Sequence, residues 1–269
     1  MSPEAERGDR WVRRFHSADR DAAAGHADAR EAEDAVRLVC LPHAGGSASS
    51  FFALSQAMPP AVDVFAVQYP GRQERRHERR IEDVGEFADE IAAVLGDWSD
   101  RPLALFGHSM GAVIAFEVAR KLEEAGGRPP VLLVASGRRA PSRTRPENVH
   151  RGGDEDILAE LRRLGGTHSR LLDDDEIVRM VLPVIRSDYT AVERYRCAPG
   201  RMVGCPILTL VGDADPVVSL DEARAWSEHT TGDFALHTFR GGHFFLESAV
   251  REVATLVARR LAVALEHRP

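Results

Sequence analysis

The segment Gly-His-Ser-Met-Gly at residues 107–111 constrains the fold of this chain more than any other feature. An apolar run at residues 103–106 precedes it, and an apolar-rich segment at residues 112–119 follows it. This context predicts a buried strand, a very tight turn and then a helix. Glycines are needed where the strand and the helix pass too close together for side chains. The turn therefore presents the hydroxyl of Ser109 beyond the end of the strand.

A serine between a strand and a helix is the arrangement of the nucleophile elbow in α/β-hydrolases. The alternative is an ordinary glycine-rich connection. A serine hydroxyl becomes a good nucleophile only when a base removes its proton, and a carboxylate usually orients that base. In this fold the order along the chain is serine, acid, histidine, each at the carboxyl end of a strand. The downstream sequence should therefore supply an acid and then a histidine.

Two aspartates are candidates for the acid. Residues 205–211 have the pattern of a buried strand, and Asp213 and Asp215 follow it directly. Their spacing alone does not separate them. We prefer Asp215, because Pro216 fixes the backbone beside it, whereas Asp213 can serve the turn through its own side chain.

Three histidines are candidates for the base. Residues 234–239 alternate as the last strand should, and a glycine-rich loop with His243 follows them. His237 lies within the strand pattern and is expected to be a surface or packing residue. His108 is next to the serine, but its side chain must leave the elbow in another direction. We therefore assign the base to His243.

Two backbone N–H groups are needed to stabilise the oxyanion of a tetrahedral intermediate. One is expected from Met110, the residue after the nucleophile, and the other from the loop after the first core strand. That loop, at residues 41–47, contains two glycines that let an amide turn towards the serine. We choose Ala44 as the second donor. A glycine-rich turn with Ser47 as a helix cap is a compatible reading.

Five segments resemble those of type II thioesterases, the free-standing thioesterases that accompany modular polyketide and nonribosomal peptide synthases. They are Leu-Pro-His-Ala-Gly-Gly at 41–46, Tyr-Pro-Gly-Arg at 69–72, Gly-His-Ser-Met-Gly at 107–111, Arg-Ser-Asp-Tyr at 186–189 and Gly-Gly-His-Phe-Phe at 241–245. The resemblance extends from about residue 11 to the final helix. One departure is the stretch at about residues 17–34, which is longer than is usual in the family.

The resemblance implies that the protein hydrolyses acyl groups from the phosphopantetheine thiol of acyl- or peptidyl-carrier protein domains. It places the nucleophile, acid and base on Ser109, Asp215 and His243, and the oxyanion donors on Ala44 and Met110. This chemistry requires neither a metal nor an organic cofactor. The alternatives are a general carboxylester hydrolase or lipase, an acyltransferase, and a non-catalytic binding module, although such modules usually lose a triad residue.

The pattern along the chain predicts an α/β fold, with a mostly parallel central sheet and helices on both faces. Strands are predicted near residues 36–41, 62–68, 102–107, 130–136, 205–211 and 234–239, and amphipathic helices at residues 81–98 and 246–265. Residues 35–269 are expected to form the hydrolase domain. Residues 1–34 are predicted to be a largely mobile extension, with Trp11 and Phe15 docked on the body.

Residues 137–204 interrupt the alternation of strands and helices and are predicted to form a helical lid. Helices are expected at residues 154–164 and near residues 174–196. On the second helix, Met180, Ile185 and Tyr189 are candidates to line an acyl chamber. The alternative is that these side chains only pack onto the sheet.

Five arginines occur within nine residues, at positions 72–80. Because carrier proteins are generally acidic near the serine that bears pantetheine, this run is a candidate docking surface. The interleaved Glu74 and Glu78 favour the alternative, a solvated loop. Arg72 belongs to the Tyr-Pro-Gly-Arg motif and is a candidate structural residue.

Composition narrows the remaining possibilities. The 269 residues are 43% hydrophobic, which fits one well-packed α/β domain, and the net charge of −7 argues against nucleic-acid binding. No apolar run reaches the roughly 20 residues that span a bilayer, and no apolar leader is present, so we expect a cytoplasmic enzyme without membrane partners. Cys40, Cys197 and Cys205 lack the spacing of metal ligands. We expect a monomer.

Overall fold

The central feature of the computed structural model, which describes residues 10–15, 35–98, 100–165 and 174–266, is one seven-stranded sheet. The strands are β1 (Val12–Arg14), β2 (Val36–Leu41), β3 (Val62–Val67), β4 (Leu103–His108), β5 (Leu132–Ser136), β6 (Ile207–Gly212) and β7 (Phe234–Phe239). Their order across the sheet is β1-β3-β2-β4-β5-β6-β7. β1 is antiparallel to β3, and every other neighbouring pair is parallel.

Eight α-helices lie within the described residues. They are α1 (Phe52–Ala57), α2 (Val84–Leu95), α3 (Met110–Glu124), α4 (Asp154–Leu164), α5 (Asp175–Arg194), α6 (Leu220–Arg224), α7 (Phe245–Ser248) and α8 (Val250–Glu266). Short 3-10 turns occur at Ala48–Phe51, Gln73–Arg75, Val149–Arg151 and Ala225–His229. None of the helices in this part of the chain is long and apolar enough to cross a membrane.

Both faces of the sheet are buried, because alternate residues of each central strand face opposite layers. In β2, Val39 and Leu41 pack with α2 and α3, whereas Leu38 and Cys40 pack with α1 and α8. The fold is therefore a three-layer α/β sandwich with a mostly parallel sheet, as the sequence predicts. Its parallel strands end at one edge, and the loops that follow them meet there.

The six predicted strands are present with ends shifted by no more than two residues, but β1 was not predicted. Trp11 is buried beside it, and the Trp11 carbonyl oxygen accepts the N–H of Gln68 at 2.8 Å. Phe15 packs edge-on against the ring of Phe52. The docking expected for Trp11 and Phe15 is thus observed. The remainder of the predicted mobile extension, including the long stretch at residues 17–34, lies outside the described residues.

Residues 137–204 are inserted between β5 and β6 and are called here the 137–204 insertion. Helices α4 and α5 match the two predicted there, and they pack on each other through a small apolar cluster. Its buried members are Ile157, Leu158, Leu161, Val178, Leu182 and Ile185. Asp174 begins α5 by accepting the N–H groups of Glu176 and Ile177. Residues 166–173 lie outside the described residues.

Candidate active site

The turn between β4 and α3 has the strained geometry that the sequence predicts. Ser109 adopts φ 54° and ψ −115°, a conformation that non-glycine residues rarely occupy. A Cβ atom at Gly107 would collide with the backbone of Gly111, and one at Gly111 would collide with the carbonyl of Leu41. Both positions therefore require glycine, because β4, α3 and the loop after β2 approach so closely.

Ser109, His243 and Asp215 form one hydrogen-bonded row at the carboxyl edge of the sheet. The distance from His243 Nε2 to Ser109 Oγ is 3.0 Å, and that from His243 Nδ1 to Asp215 Oδ2 is 2.9 Å. The other carboxylate oxygen of Asp215 accepts the N–H of Val217 at 2.9 Å. Because a carboxylate can only accept, His243 Nδ1 carries the proton in this network and Nε2 is left to accept one from Ser109.

Asp213, the other candidate acid, is placed differently. Its carboxylate accepts the backbone N–H of Gly241 at 2.9 Å, so it joins the loop after β6 to the loop that carries His243. Asp213 therefore has a structural role, as the sequence predicts, but it binds the backbone of a different loop and not that of its own turn. His237 is exposed on β7, as expected of a surface residue.

His108 forms part of the wall behind the base. Its ring is buried, its centroid lies 5.3 Å from that of His243, and its Nδ1 is 2.9 Å from Ser136 Oγ. Burial, together with the neighbouring rings of His243 and His43, holds the pKa of His108 well below its usual range. His108 is therefore a neutral neighbour of His243 at physiological pH.

The candidate oxyanion loop is a tight turn that follows β2. The N–H of Gly46 donates to the carbonyl oxygen of His43 at 2.9 Å, and Gly45 between them has φ +77°, as in a type II turn. Within the described part of the chain, no hydrogen bond uses the amide N–H of Ala44 or that of Met110. Met110 is the first residue of α3, where helix N–H groups lack partners inside the helix.

Asp188 is a site residue whose role the sequence does not reveal. It lies on α5, is fully buried, and accepts the N–H of Gly45 at 2.7 Å through Oδ2. The same oxygen pairs with the guanidinium of Arg72, which also donates to the carbonyl oxygen of Gly46 at 3.1 Å. Burial raises the pKa of Asp188, and Arg72 and the Gly45 N–H act against that rise. The sequence signal for this contact is the pair of motifs at residues 69–72 and 186–189, but neither motif shows that it contacts the other.

The three lid candidates on α5 have different environments. Ile185 is 2% exposed, and a Cβ atom added at Gly45 would lie only 2.8 Å from its Cγ1 atom. Tyr189 is half-buried against the α4–α5 cluster, and burial raises the pKa of its phenol. Met180 is 59% exposed, which argues against the prediction that it lines an acyl chamber. Val178 and Leu182, two residues before and after it, are buried in the α4–α5 cluster, so Met180 lies on the outer side of α5.

The arginine run at residues 72–80 is partly structural. Arg72 and Arg75 are both buried. Arg75 donates to the carbonyl oxygen of Gln68 at 2.7 Å, and its guanidinium lies 4.4 Å from the centre of the Trp11 ring. The docking prediction is therefore wrong for Arg75, because its charge is held inside the fold. The expectation that Arg72 is structural agrees with its burial.

A cleft of about 540 Å³ beside α5, called here the basic cleft, collects several other arginines. Its charged lining consists of five arginines and two acids, namely Arg80, Arg151, Arg179, Arg186, Arg194, Glu82 and Asp154. This positive excess occurs in a chain whose net charge is −7. The cleft also adjoins Ser187, whose hydroxyl lies 3.2 Å from Arg80 Nε. No group of three metal-ligating side chains is found in the described ranges.

The chain is similar to known proteins in both sequence and structure. Residues 36–261 match the family described as thioesterase domain. The chain is 47% identical over 252 residues to a probable cadicidin biosynthesis thioesterase of Streptomyces griseus, covering 94% of this chain and 66% of that protein. It is 46% identical over 254 residues to thioesterase PikA5 of Streptomyces venezuelae, covering 94% and 86%. The solved structure of the type II thioesterase BorB from the borrelidin biosynthetic cluster superposes with a TM-score of 0.82 at 48% identity, covering 93% of this chain and 97% of that one.

Proposed function

Because the chain belongs to the thioesterase domain family, we propose that it hydrolyses acyl thioesters on the phosphopantetheine arm of carrier proteins in a polyketide or nonribosomal peptide synthase. The observation that carries the proposal is the row Ser109–His243–Asp215 beside two unused backbone amides. Such an enzyme removes stalled or incorrect acyl units and returns the carrier to its free-thiol form. The relatives named for cadicidin biosynthesis and for the borrelidin biosynthetic cluster support a biosynthetic setting.

The first half of the proposed reaction transfers the acyl group to the enzyme. His243 takes the proton from Ser109 Oγ while that oxygen attacks the thioester carbonyl carbon. Asp215 keeps the imidazole oriented and stabilises its positive charge. The amides of Ala44 and Met110 donate to the oxyanion. The C–S bond then breaks, and the proton held by His243 passes to the departing pantetheine sulfur, so the carrier leaves as a free thiol and His243 is neutral again.

The second half releases the free acid. A water molecule gives a proton to His243 Nε2 and attacks the carbonyl carbon of the acyl-serine. The bond to Ser109 Oγ breaks, and Ser109 recovers a proton from His243. Because His108 is neutral, it places no second positive charge beside the imidazolium that forms in each half-reaction.

The basic cleft is our proposed docking site for the carrier. A pantetheine arm is attached through a phosphodiester, and arginine is well suited to bind both phosphate and carboxylate oxygens. The cleft shares residue Ser187 with the turn of α5 that holds Asp188, so a carrier bound there would lie against the helix that contacts the oxyanion loop. From the run at residues 72–80, only Arg80 lines this cleft.

We further propose that residues 35–269 act as one catalytic domain and that the 137–204 insertion is its lid. Ile185 is the lid residue best placed to meet an acyl chain, since it packs directly on the oxyanion loop at Gly45. A cytoplasmic location is supported by three free cysteines, two of them buried.

The proposal is tested by incubating the protein with several acyl-loaded carrier proteins and following each carrier by intact mass spectrometry. We expect return of the free-thiol carrier together with the free carboxylic acid. Ser109→Ala should lower kcat by about 10,000-fold or more, because it removes the nucleophile. Retention of activity in this variant would exclude the mechanism.

Two further measurements separate the related activities. Transfer of the acyl group to an added alcohol or amine, seen in the products, would instead indicate an acyltransferase. Equal or faster turnover of simple oxygen esters would indicate a general carboxylester hydrolase.

A further inference from the structure

The oxyanion loop is held in place from outside by residues that are distant in sequence. Asp188 accepts the N–H of Gly45, and Arg72 donates to the carbonyl oxygen of Gly46. Asp188 and Arg72 are ion-paired with each other and are both buried. We call this pair the Asp188–Arg72 clamp. It grips two successive residues of the turn, one through a donor and the other through an acceptor.

The clamp also constrains the direction of the Ala44 amide, the proposed oxyanion donor. His43 C=O and Ala44 N–H belong to one planar trans peptide group, in which the two bonds point in opposite directions. The carbonyl of His43 is fixed because it accepts the N–H of Gly46. The N–H of Ala44 must therefore point away from Gly46. Any rotation of Gly45 or Gly46 would redirect this N–H.

We propose that Asp188 is a positioning residue that aims the amide of Ala44 at the oxyanion, so that α5 of the 137–204 insertion completes the oxyanion hole. This inference rests on the proposed function. Ile185, on the inner side of the same helix, packs on Gly45 and would be displaced together with Asp188 if the helix moved. The helix that contacts the space beside Gly45 therefore also holds the backbone of the oxyanion loop.

The chemistry of the clamp fits a positioning role better than a stabilising one. Burying an ion pair gains little stability over apolar packing of the same volume, because both charges lose their hydration. What the pair does supply is direction, since a planar guanidinium and a carboxylate fix the groups that they bind. Here the groups they bind are backbone atoms of the oxyanion loop.

Glu193 offers a matched control on the same helix. It is buried, and its carboxylate accepts the N–H groups of Val149 and His150 at 3.0 and 3.1 Å. These N–H groups lie within the 137–204 insertion and not in the oxyanion loop. Truncation of Glu193 therefore removes a buried carboxylate that holds backbone, but leaves the turn after β2 in place.

The experiment compares Asp188→Ala, Asp188→Asn and Glu193→Ala with wild-type enzyme on an acyl-carrier substrate. We expect Asp188→Ala to lower kcat about 100-fold, with little change in KM, because a misdirected donor acts on the transition state. Asp188→Asn should recover most of this loss, since its amide oxygen can still accept the N–H of Gly45. Glu193→Ala should keep wild-type kcat. The pH profile of kcat should keep its shape in every variant.

A second readout isolates the oxyanion hole from general damage. A trifluoromethyl ketone analogue of the substrate forms a tetrahedral oxyanion on Ser109, whereas a thioether analogue does not. Asp188→Ala should weaken binding of the ketone about 100-fold and leave that of the thioether unchanged. An equal loss for both analogues, an equal fall in kcat for Glu193→Ala, or wild-type kcat in Asp188→Ala would each overturn the proposal.

Two measurements keep the test decisive if Asp188→Ala does not fold. Arg72→Lys replaces two separate donors, Nε on Gly46 and Nη2 on Asp188, by one ammonium nitrogen that cannot hold both partners in the same geometry. It should lower kcat about tenfold with KM unchanged, and an unchanged kcat would count against the clamp. In the wild-type protein, hydrogen exchange of the Gly45 amide should be strongly slowed, and rapid exchange would overturn the proposal. This second result is independent of turnover, so it stands even if the protein proves inactive on thioesters.

Discussion

The loops at the carboxyl edge of the sheet and the 137–204 insertion both contribute to the candidate site, but they are positioned in different ways. Ser109, Asp215 and His243 follow β4, β6 and β7, whose parallel register fixes where each loop begins. Within the described residues, the insertion contacts the oxyanion loop through side chains of α5, chiefly Asp188 and Ile185. The sheet therefore fixes the positions of the three reacting side chains, whereas the insertion holds the backbone of the oxyanion loop and fills the space beside it.

This difference predicts unequal effects of substitution. A change in the row at the sheet edge removes a chemical step. A change in the basic cleft weakens recognition of the carrier, and a change at an exposed position of α5 has little effect.

The two aspartates after β6 should differ most. Asp215→Asn is expected to lower kcat by about 10,000-fold, because an amide in that position favours the wrong tautomer of His243. Asp213→Asn keeps an oxygen that can accept the N–H of Gly241, so its kcat should stay close to that of the wild type. Steady-state kinetics on one acyl-carrier substrate measures both. Similar losses in the two variants would mean that the loop, and not the row, sets the rate.

His108 should make the folded protein less stable in acid. Its pKa is lowered in the folded protein, so below about pH 6.5 the unfolded chain binds a proton that the folded one does not. Above that pH the ring is neutral in both states, so protonation does not affect stability. As the pH falls, protonation of the unfolded chain lowers the stability of the folded state. The free energy of unfolding should therefore decrease by up to about 1.4 kcal/mol per pH unit on this account. Urea unfolding at pH 7.0, 6.0 and 5.5 should show a shallower decrease in His108→Asn, and parallel curves would argue against the assignment.

The basic cleft should give a smaller effect, limited to recognition. Replacing the exposed Arg151 and Arg194 by Glu should raise KM for acyl-carrier substrates about fivefold, since exposed charge pairs contribute about 1 kcal/mol or less. Turnover of a small pantetheine thioester should not change. Arg76→Glu, an exposed charge reversal outside the cleft, is the control. A similar rise in KM for that control would indicate a general effect of net charge.

Met180 should show the smallest effect of all. Because its side chain is exposed, Met180→Ala should leave both stability and the preference for acyl-chain length within about twofold of the wild type. Competition between short- and long-chain acyl carriers measures the preference. A marked shift in chain-length preference would mean that Met180 does line the acyl chamber and that this part of α5 faces the other way.

The same contrast explains which parts of the site were predictable from sequence. The elbow around Ser109 is a local motif, since its two glycines and the flanking apolar runs report one tight turn. Asp215 and His243 could be found because parallel strands present their carboxyl ends at a single edge. The strand pattern was equally local, and six of the seven strands were predicted for that reason. β1 escaped because three residues among charged neighbours show no periodicity.

Tertiary pairing was the part that sequence could not provide. A buried arginine such as Arg75 has the same sequence appearance as an exposed one, because its partners are backbone atoms and an aromatic ring reached only after folding. The Asp188–Arg72 clamp joins residues 116 positions apart. Met180 and Ile185 are both apolar residues of α5, but they lie about 140° apart around the helix, and only its packing decides which of them faces inward.

The short strand β1 has a consequence for how the protein behaves in solution. It pairs with β3 and ends the sheet on that side, and its side chains Arg13 and Arg14 are ion-paired with Glu74 and Asp63. An uncovered β3 would offer a row of backbone donors and acceptors to any other extended chain. Three residues bearing two charges are a poor template for further pairing. β1 thus protects the enzyme from edge-to-edge aggregation, and removal of residues 1–15 would leave the backbone of β3 open to intermolecular strand pairing.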